Sequence, residues 1–249
     1  MNLLDQFNPV SIDTLNQKNL LSNRQDRKFV FSADVLSSVL KACTFEYDIL
    51  EIAGIRNFKY VTTYYDTHDL DMYLEHQRGK QNRCKIRTRL YVDSMLGYVE
   101  IKVKNNKDRT VKHRTTGEKP EDAKALIEIN TQYTTDELEQ VFELHYNRIT
   151  LLHKSKLEKV TIDTELAYTN GSHRISFEKI IFAEVKTNDA HDISFCRIMK
   201  HMGIRGGSLS KYCLGVMSFY PKIKQNNFKL SLKKLLKTAA HATNGHIGI

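Results

Sequence analysis

Between Arg83 and Tyr91 the chain reads RCKIRTRLY, with Arg83, Lys85, Arg87 and Arg89 at every second position and Cys84, Ile86, Thr88 and Leu90 between them. A period of two is that of a β-strand, whose side chains point alternately to opposite faces. Alternation of this kind, or enrichment in β-branched and aromatic residues, predicts strands at about 24–31, 58–65, 83–92, 96–104, 109–114, 145–153, 158–168 and 180–187. Eight strands suffice to close a barrel. Asn170-Gly171 signals a tight turn into a short extra strand near 174–178. Helical spacing predicts a helix over 32–43, with Ser32 as N-cap and Val35, Leu36, Val39 and Leu40 on one face. It predicts another over 134–144, where Thr134 and Glu137 form a capping box ahead of Leu138, Val141 and Phe142. Further helices are expected at about 190–202 and 208–220. A basic amphipathic helix is expected at 228–242, read as a solvated face rather than a contact with an acidic membrane.

The charged faces of these strands share one character. Glu100, Lys102 and Lys104 alternate with Val99, Ile101 and Val103; Glu184 and Lys186 with Ala183 and Val185; Lys159, Thr161, Asp163 and Glu165 with Val160, Ile162, Thr164 and Leu166. Tyr146 shares a face with Arg148, Asp26 with Lys28, and Lys112 with Arg114. An ordinary half-exposed sheet accounts for one such strand. Like charges about 7 Å apart along a strand repel, and their recurrence on six strands fits a lumen whose anionic ligand compensates them. Nucleic acid alone gives no use for Glu100, Asp163, Glu165 and Glu184 among the cations, because carboxylates repel backbone phosphates. A hard divalent cation does need carboxylate oxygens beside substrate phosphates.

Composition agrees. The 249 residues carry a formal net charge of +9, which favours a polyanionic partner without choosing its kind. The four cysteines are scattered and read as reduced thiols of an intracellular protein. With 3 prolines and no Gly/Ser-rich tract, one domain over 1–249 is expected, its core at about 22–220 between helical ends. Neither a signal peptide nor a transmembrane run is evident, so the expected location is the cytoplasm.

In order, RQDRKFVF, YVTTYYDTHDLDMYLEH, KIRTRLY, YVEIKVK, VKHR, YNRITL, VTIDTEL, FAEVK and SLSKYCLG resemble the polyphosphate polymerase domain of the vacuolar transporter chaperone (VTC) family, within the triphosphate tunnel superfamily that includes the CYTH domain. The resemblance implies an α+β fold, an eight-stranded antiparallel β-barrel forming a tunnel with helices packed around it. It implies that Lys28, Arg87, Arg89, Lys102, Lys112, Arg148 and Lys211 hold the triphosphate or the polyphosphate, with Tyr146 and Ser210 as further phosphate contacts and Glu184 on a Mn²⁺ or Mg²⁺ ion. Lys85, Arg114, Lys159 and Lys186 join the phosphate-binding set, although Lys159 stands where the family usually has arginine and lacks its bidentate fork. Glu100 and Asp163 are either further metal ligands or groups that orient neighbouring cations. The ExExK signature of CYTH relatives is absent: Arg24, Asp26 and Lys28 occupy its spacing.

The implied activity is transfer of the ATP γ-phosphoryl group to a polyphosphate chain, with a tripolyphosphatase or nucleoside triphosphatase, or a binding module, as alternatives. The partners expected are ATP and polyphosphate, not nucleic acid. The SPX domain and transmembrane helices of eukaryotic relatives are not recognised, so any membrane contact is expected through a partner protein at the inner face. The histidines and acids of DTHDLDMYLEH are expected to be a turn and helix, not a metal site. GIRGGS (203–208) is expected to be a loop capped by Ser208, and SLSKYCLG to open a helix whose amides and Lys211 meet phosphate.

Overall fold

Each of the eight strand-like segments is a strand in the computed structural model of the chain, which describes residues 2–17, 25–106, 110–189, 191–207, 210–234 and 237. In chain order the elements are β1 (Pro9–Val10), α1 (Ile12–Gln17), β2 (Gln25–Ser32), α2 (Leu36–Cys43), β3 (Tyr47–Leu50), β4 (Phe58–Asp66), α3 (Asp71–Arg78), β5 (Arg83–Tyr91), β6 (Leu96–Lys104), β7 (Thr110–Thr116), α4 (Lys124–Asn130), β8 (Glu139–His153), β9 (Glu158–Asn170), β10 (His173–Phe177), β11 (Ile180–Thr187), α5 (Ser194–His201) and α6 (Lys211–Phe219). The eight long strands follow the order β2-β11-β9-β8-β4-β5-β6-β7, antiparallel at every ladder. β10 extends β9 beyond the Asn170-Gly171 turn, and the short β3 pairs β8 and takes β1 in parallel.

Several expectations are corrected. The capping box of the helix expected over 134–144 forms, with the Thr134 N–H donating to Glu137 at 2.7 Å, but it starts only a 3-10 turn, Thr135–Glu137. From Glu139 onward the chain is β8, because ladders with β4 and β9 satisfy its backbone on both edges and bury Phe142 and Leu144. Tertiary pairing overrides the helical spacing here. The helix expected over 32–43 opens as a 3-10 turn at Ala33–Val35, with the Ser32 hydroxyl accepting from the Asp34 N–H at 3.2 Å. The helices expected at 190–202 and 208–220 begin at Ser194 and Lys211. Residues 229–234 are helical; most of 235–242, with Arg24, Arg109 and Ser208, lies outside the described residues.

The two faces of the curved sheet are packed differently. Outer residues such as Phe29, Ile149, Val160, Ile162 and Val185 form one cluster with Val39 of α2 and Phe195 and Met199 of α5. A second outer cluster sets Ile86, Val99 and Ile101 against Met72 of α3 and Ile127 of α4. On the inner face, Tyr64, Phe142, Leu144 and Tyr168 pack around Tyr212, Leu214 and Val216 of α6. Gly215 is required there, since a Cβ at that position would stand 2.4 Å from the Phe142 ring.

Thus α5 lies outside the sheet and α6 inside it. The link between them runs along the free edge of β2, where Gly206 bridges Phe29 and the Gly207 N–H donates to the Lys28 carbonyl at 2.9 Å. The expected barrel is therefore a barrel-like sheet that does not close: among the described residues no ladder joins β2 to β7. The crossing chain occupies the edge that a closing strand needs.

Candidate active site

Beside the more exposed Asp26, three carboxylates stand among the cations of the inner face, each in a different setting. Glu100 of β6 has a side chain 0 % exposed. Arg87, opposite it on β5, donates to Oε2 from Nε at 2.8 Å and Nη2 at 2.6 Å; Arg89 stands 3.6 Å away, and Lys112 of β7 donates to Oε1. Burial alone raises the Glu100 pKa, but Arg87, Arg89 and Lys112 outweigh it and hold the carboxyl well below the usual range. Asp163 of β9, 3 % exposed, takes both arms of Arg148 at 2.6 and 2.8 Å and the Lys211 ammonium of α6 at 2.6 Å. Burial again raises its pKa, and the Arg148 and Lys211 charges more than reverse that effect.

Glu184 of β11 is more open. Its side chain is 29 % exposed and has one close partner, Lys186 at 2.6 Å, which also reaches Asp26 at 3.1 Å. Burial pushes its pKa up, while Lys186, Lys28 and Lys102 bring it below the ordinary value.

The cations divide accordingly. Arg87, Arg89 and Lys112 are committed to Glu100, Arg148 and Lys211 to Asp163, and Lys186 to Glu184 and Asp26. Among the described residues, Lys28, Lys85 and Lys102 have no carboxylate within ion-pair distance. They converge although their strands are far apart in the sheet order: the Lys28 charge acts on Lys85, and Glu184 of β11 acts on Lys102 of β6. Arg87, then burial, then Arg89 drive the Lys102 pKa well down. Burial, reinforced by Lys28 and Arg87, lowers Lys85 to about 8. The Lys85 ammonium donates at 2.9 Å to the Ser210 hydroxyl, which also caps α6 by accepting from the Cys213 N–H. Unpaired ammonium groups at such density are the electrostatic complement of a polyanion.

Tyrosines brace the arginines. Tyr60 and Tyr146 stack at 5.2 Å, with the Arg148 guanidinium 5.2 and 5.3 Å from their centroids and Arg89 5.8 Å from Tyr60. The Tyr64 hydroxyl accepts from Arg87 at 3.2 Å. Burial raises the Tyr146 pKa, yet Arg89 and Arg148 bring it below normal. An open cleft of about 860 Å³ beside β2, lined by Arg27, Lys28, Lys200, Arg205 and Gly206, runs from the surface to Lys28.

Among the described residues no group of three or more His, Cys, Asp or Glu side chains gathers as a metal cage. A Mg²⁺-like ion bound through one carboxylate, waters and phosphate oxygens needs none. Glu184 fits that role, whereas the oxygens of Glu100 and Asp163 are already taken by cations.

A family model described as the VTC domain matches residues 23–220. The chain belongs to the VTC domain family. No curated protein matches it. Among solved structures, this VTC chain is similar to a candidate adenylate cyclase from Bacillus halodurans, with a TM-score of 0.51 and 12% identity over 80% of this chain and 100% of that one. It is also similar to a candidate adenylyl cyclase from Hippeastrum that has a dominant triphosphatase activity, with a TM-score of 0.50 and 11% identity over 78% and 95% of the two chains. At these identities the likeness is one of fold.

The site residues expected of this VTC domain do not all meet at one point. Lys28, Lys85, Arg87, Arg89, Lys102, Lys112, Glu100, Glu184 and Lys186 form one network of ion pairs and mutual fields, and Arg148, Asp163 and Lys211 a second, which meets the first at Tyr146, where the charges of Arg87, Arg89, Arg148 and Asp163 all act. Lys159 and Lys186 are register partners towards one end, and Arg114 lies towards another, over tyrosine rings. Sequence reasoning missed Tyr60, Thr62 and Tyr64, whose alternation in YVTTYYD is the same strand signal without charge. It also missed Tyr98, which continues the Glu100–Lys102 face.

Proposed function

We propose that this VTC protein is a metal-dependent polyphosphate polymerase that transfers the ATP γ-phosphoryl group to a phosphate chain held in the lumen. The reading rests on one juxtaposition: Lys28 and Lys102 beside the half-open Glu184, with Lys85 within the field of Lys28, all three lacking carboxylate partners among the described residues. A phosphate chain supplies the negative charge this space lacks. Arg87, Arg89 and Arg148, fixed by Glu100, Asp163 and the tyrosines, are donors already oriented before the ligand arrives. A terminal oxygen of the acceptor chain attacks the γ-phosphorus, the bond to the β–γ bridging oxygen breaks, and ADP leaves with that electron pair. Phosphoryl transfer of this kind needs positioning and charge neutralisation rather than a covalent enzyme intermediate. Mn²⁺ or Mg²⁺ on Glu184 supplies Lewis-acid polarisation of phosphoryl oxygens when bound. In this reading Glu100 and Asp163 orient cations and hold no metal.

A triphosphatase is the second reading, and one observation favours it: α6 fills one end of the lumen with apolar side chains, which closes that end to a chain threaded through, whereas hydrolysis needs no second opening. No helix among the described residues is long and apolar enough to cross a membrane. Incubation with ATP and Mn²⁺, following long-chain polyphosphate and free phosphate separately, decides between the two readings. Chain growth is expected; free phosphate alone makes the protein a triphosphatase, and neither product makes it a binding module.

A further inference from the structure

Along β4 the inner aromatic row runs from Tyr64, which packs on Tyr212 of α6, to Tyr60, which packs on Tyr91 where β5 leads into the β5–β6 hairpin. At that end stands Arg114, outside the ion pairs made to Glu100 and Glu184. The Arg114 guanidinium carbon of β7 lies 3.4 Å from the Tyr98 ring centroid and 5.5 Å from that of Tyr91. The two rings meet edge to face at 5.7 Å. Arg114 is exposed and both tyrosines are half-buried. Glu100 is the register partner of Arg114, yet its oxygens are held by Arg87 and Lys112, and Arg114 forms no ion pair among the described residues. One face of the guanidinium is therefore laid on Tyr98, while its other face and its N–H edge are open to a ligand.

We propose that Tyr91, Tyr98 and Arg114 form a nucleobase shelf. A planar base stacks on the outer face of Arg114, as bases stack on arginine and aromatic planes in single-strand binding proteins, while the attached triphosphate runs inward to Lys102 and Lys28. The inference rests on the nucleotide-donor reading above and adds to it what recognises the base. It has a chemical consequence: ATP carries a base and polyphosphate does not, so the shelf separates donor from acceptor and sets the direction in which the donor enters. Purines, with the larger π-surface, are preferred to pyrimidines.

The test is calorimetric binding of ATP and of tripolyphosphate to the full chain in EDTA, where neither turns over. Tyr98→Leu keeps the charge of the lumen and removes the ring. It is expected to weaken ATP about tenfold and tripolyphosphate less than about twofold. Tyr98→Phe, which restores the ring without the hydroxyl, recovers ATP affinity and shows that the loss is one of stacking. Parallel losses for both ligands, or no loss for ATP, overturn the shelf while leaving the phosphate site intact. Failure of the unaltered chain to bind either ligand overturns the shelf and the donor reading together.

Discussion

Glu100 and Glu184 are the same residue type, each on an inner strand face with lysines two positions away, yet they live in different electrostatic regions. Around Glu100, three cations converge on a carboxylate without solvent and occupy both of its oxygens. Around Glu184, one ammonium serves a carboxylate that keeps 29 % of its side-chain surface, and Lys28 and Lys102 stand near without closing on it. The first carboxylate has no oxygen left for a metal. The second region is complete only with an anion and its counter-cation. The difference separates the carboxylate that builds the wall from the one that can work with a ligand.

The comparison breaks first at Glu100. Glu100→Gln leaves Arg87, Arg89 and Lys112 facing one another in a buried space and is expected to cost about 3–5 kcal/mol, with a melting temperature lower by roughly 10 °C. A variant that melts like the unaltered chain would falsify the assignment of Glu100 to the wall. Glu184→Gln is expected to do the reverse: turnover of ATP falls at least about 100-fold, about 2.7 kcal/mol in the barrier, while the melting temperature moves by less than about 2 °C. If the two variants show the same balance of lost stability and lost turnover, the two regions are one.

Gly215→Ala sharpens the contrast from the side of α6. The new Cβ meets the Phe142 ring, and overpacking of this kind costs about 1–3 kcal/mol. Because α6 carries Lys211 to Asp163, tripolyphosphate affinity should fall along with thermal stability; a stability loss with unchanged affinity would detach α6 from the site. The smallest effect concerns Lys85. Its folded pKa of about 8 lies below the unfolded value of about 10.4, so the folded chain binds fewer protons between these limits and the stability contribution of this group rises as pH rises through that window. A phosphate chain reverses the shift, so binding at pH 9 should take up part of a proton, read by calorimetry in buffers of different ionisation enthalpy. Uptake that persists unchanged in Lys85→Met would point to another group.

Much of the fold was legible because alternation is a local property. RCKIRTRLY and YVEIKVK show their two faces without reference to any partner, and both are strands with the expected inner cations. What a side chain meets across the sheet is not local. Glu100 finds Arg87 and Lys112, and Asp163 finds Lys211, through ladders and a helix that bring together residues 12 to 48 positions apart. Nothing in EIKVK distinguishes this saturated glutamate from the open one in AEVK. The strand Glu139–His153 was misread at its start because Leu138, Val141 and Phe142 have helical spacing, and a bulge beside Val141 shifts the alternation there. The short β3 gave too few residues for any period to show. The inward course of α6 did leave a trace: Tyr212 to Met217 are all buried, and a helix that is apolar on every side belongs inside.

That inward course also constrains the order in which the molecule is made. β2, near the start of the chain, pairs with β11 some 150 residues later, and the helix that fills the space between the strands follows at Lys211–Phe219. As synthesis proceeds from the N-terminus, the sheet has no finished interior until residue 219 has emerged. Pairings of such long sequence separation fold slowly, and the apolar residues that await α6, Phe142, Leu144 and Tyr168 among them, stay open to other chains in the meantime. The helix that fills one end of the lumen is thus the last of the site-bearing elements to be synthesised, and the Lys211–Asp163 link has to wait for it.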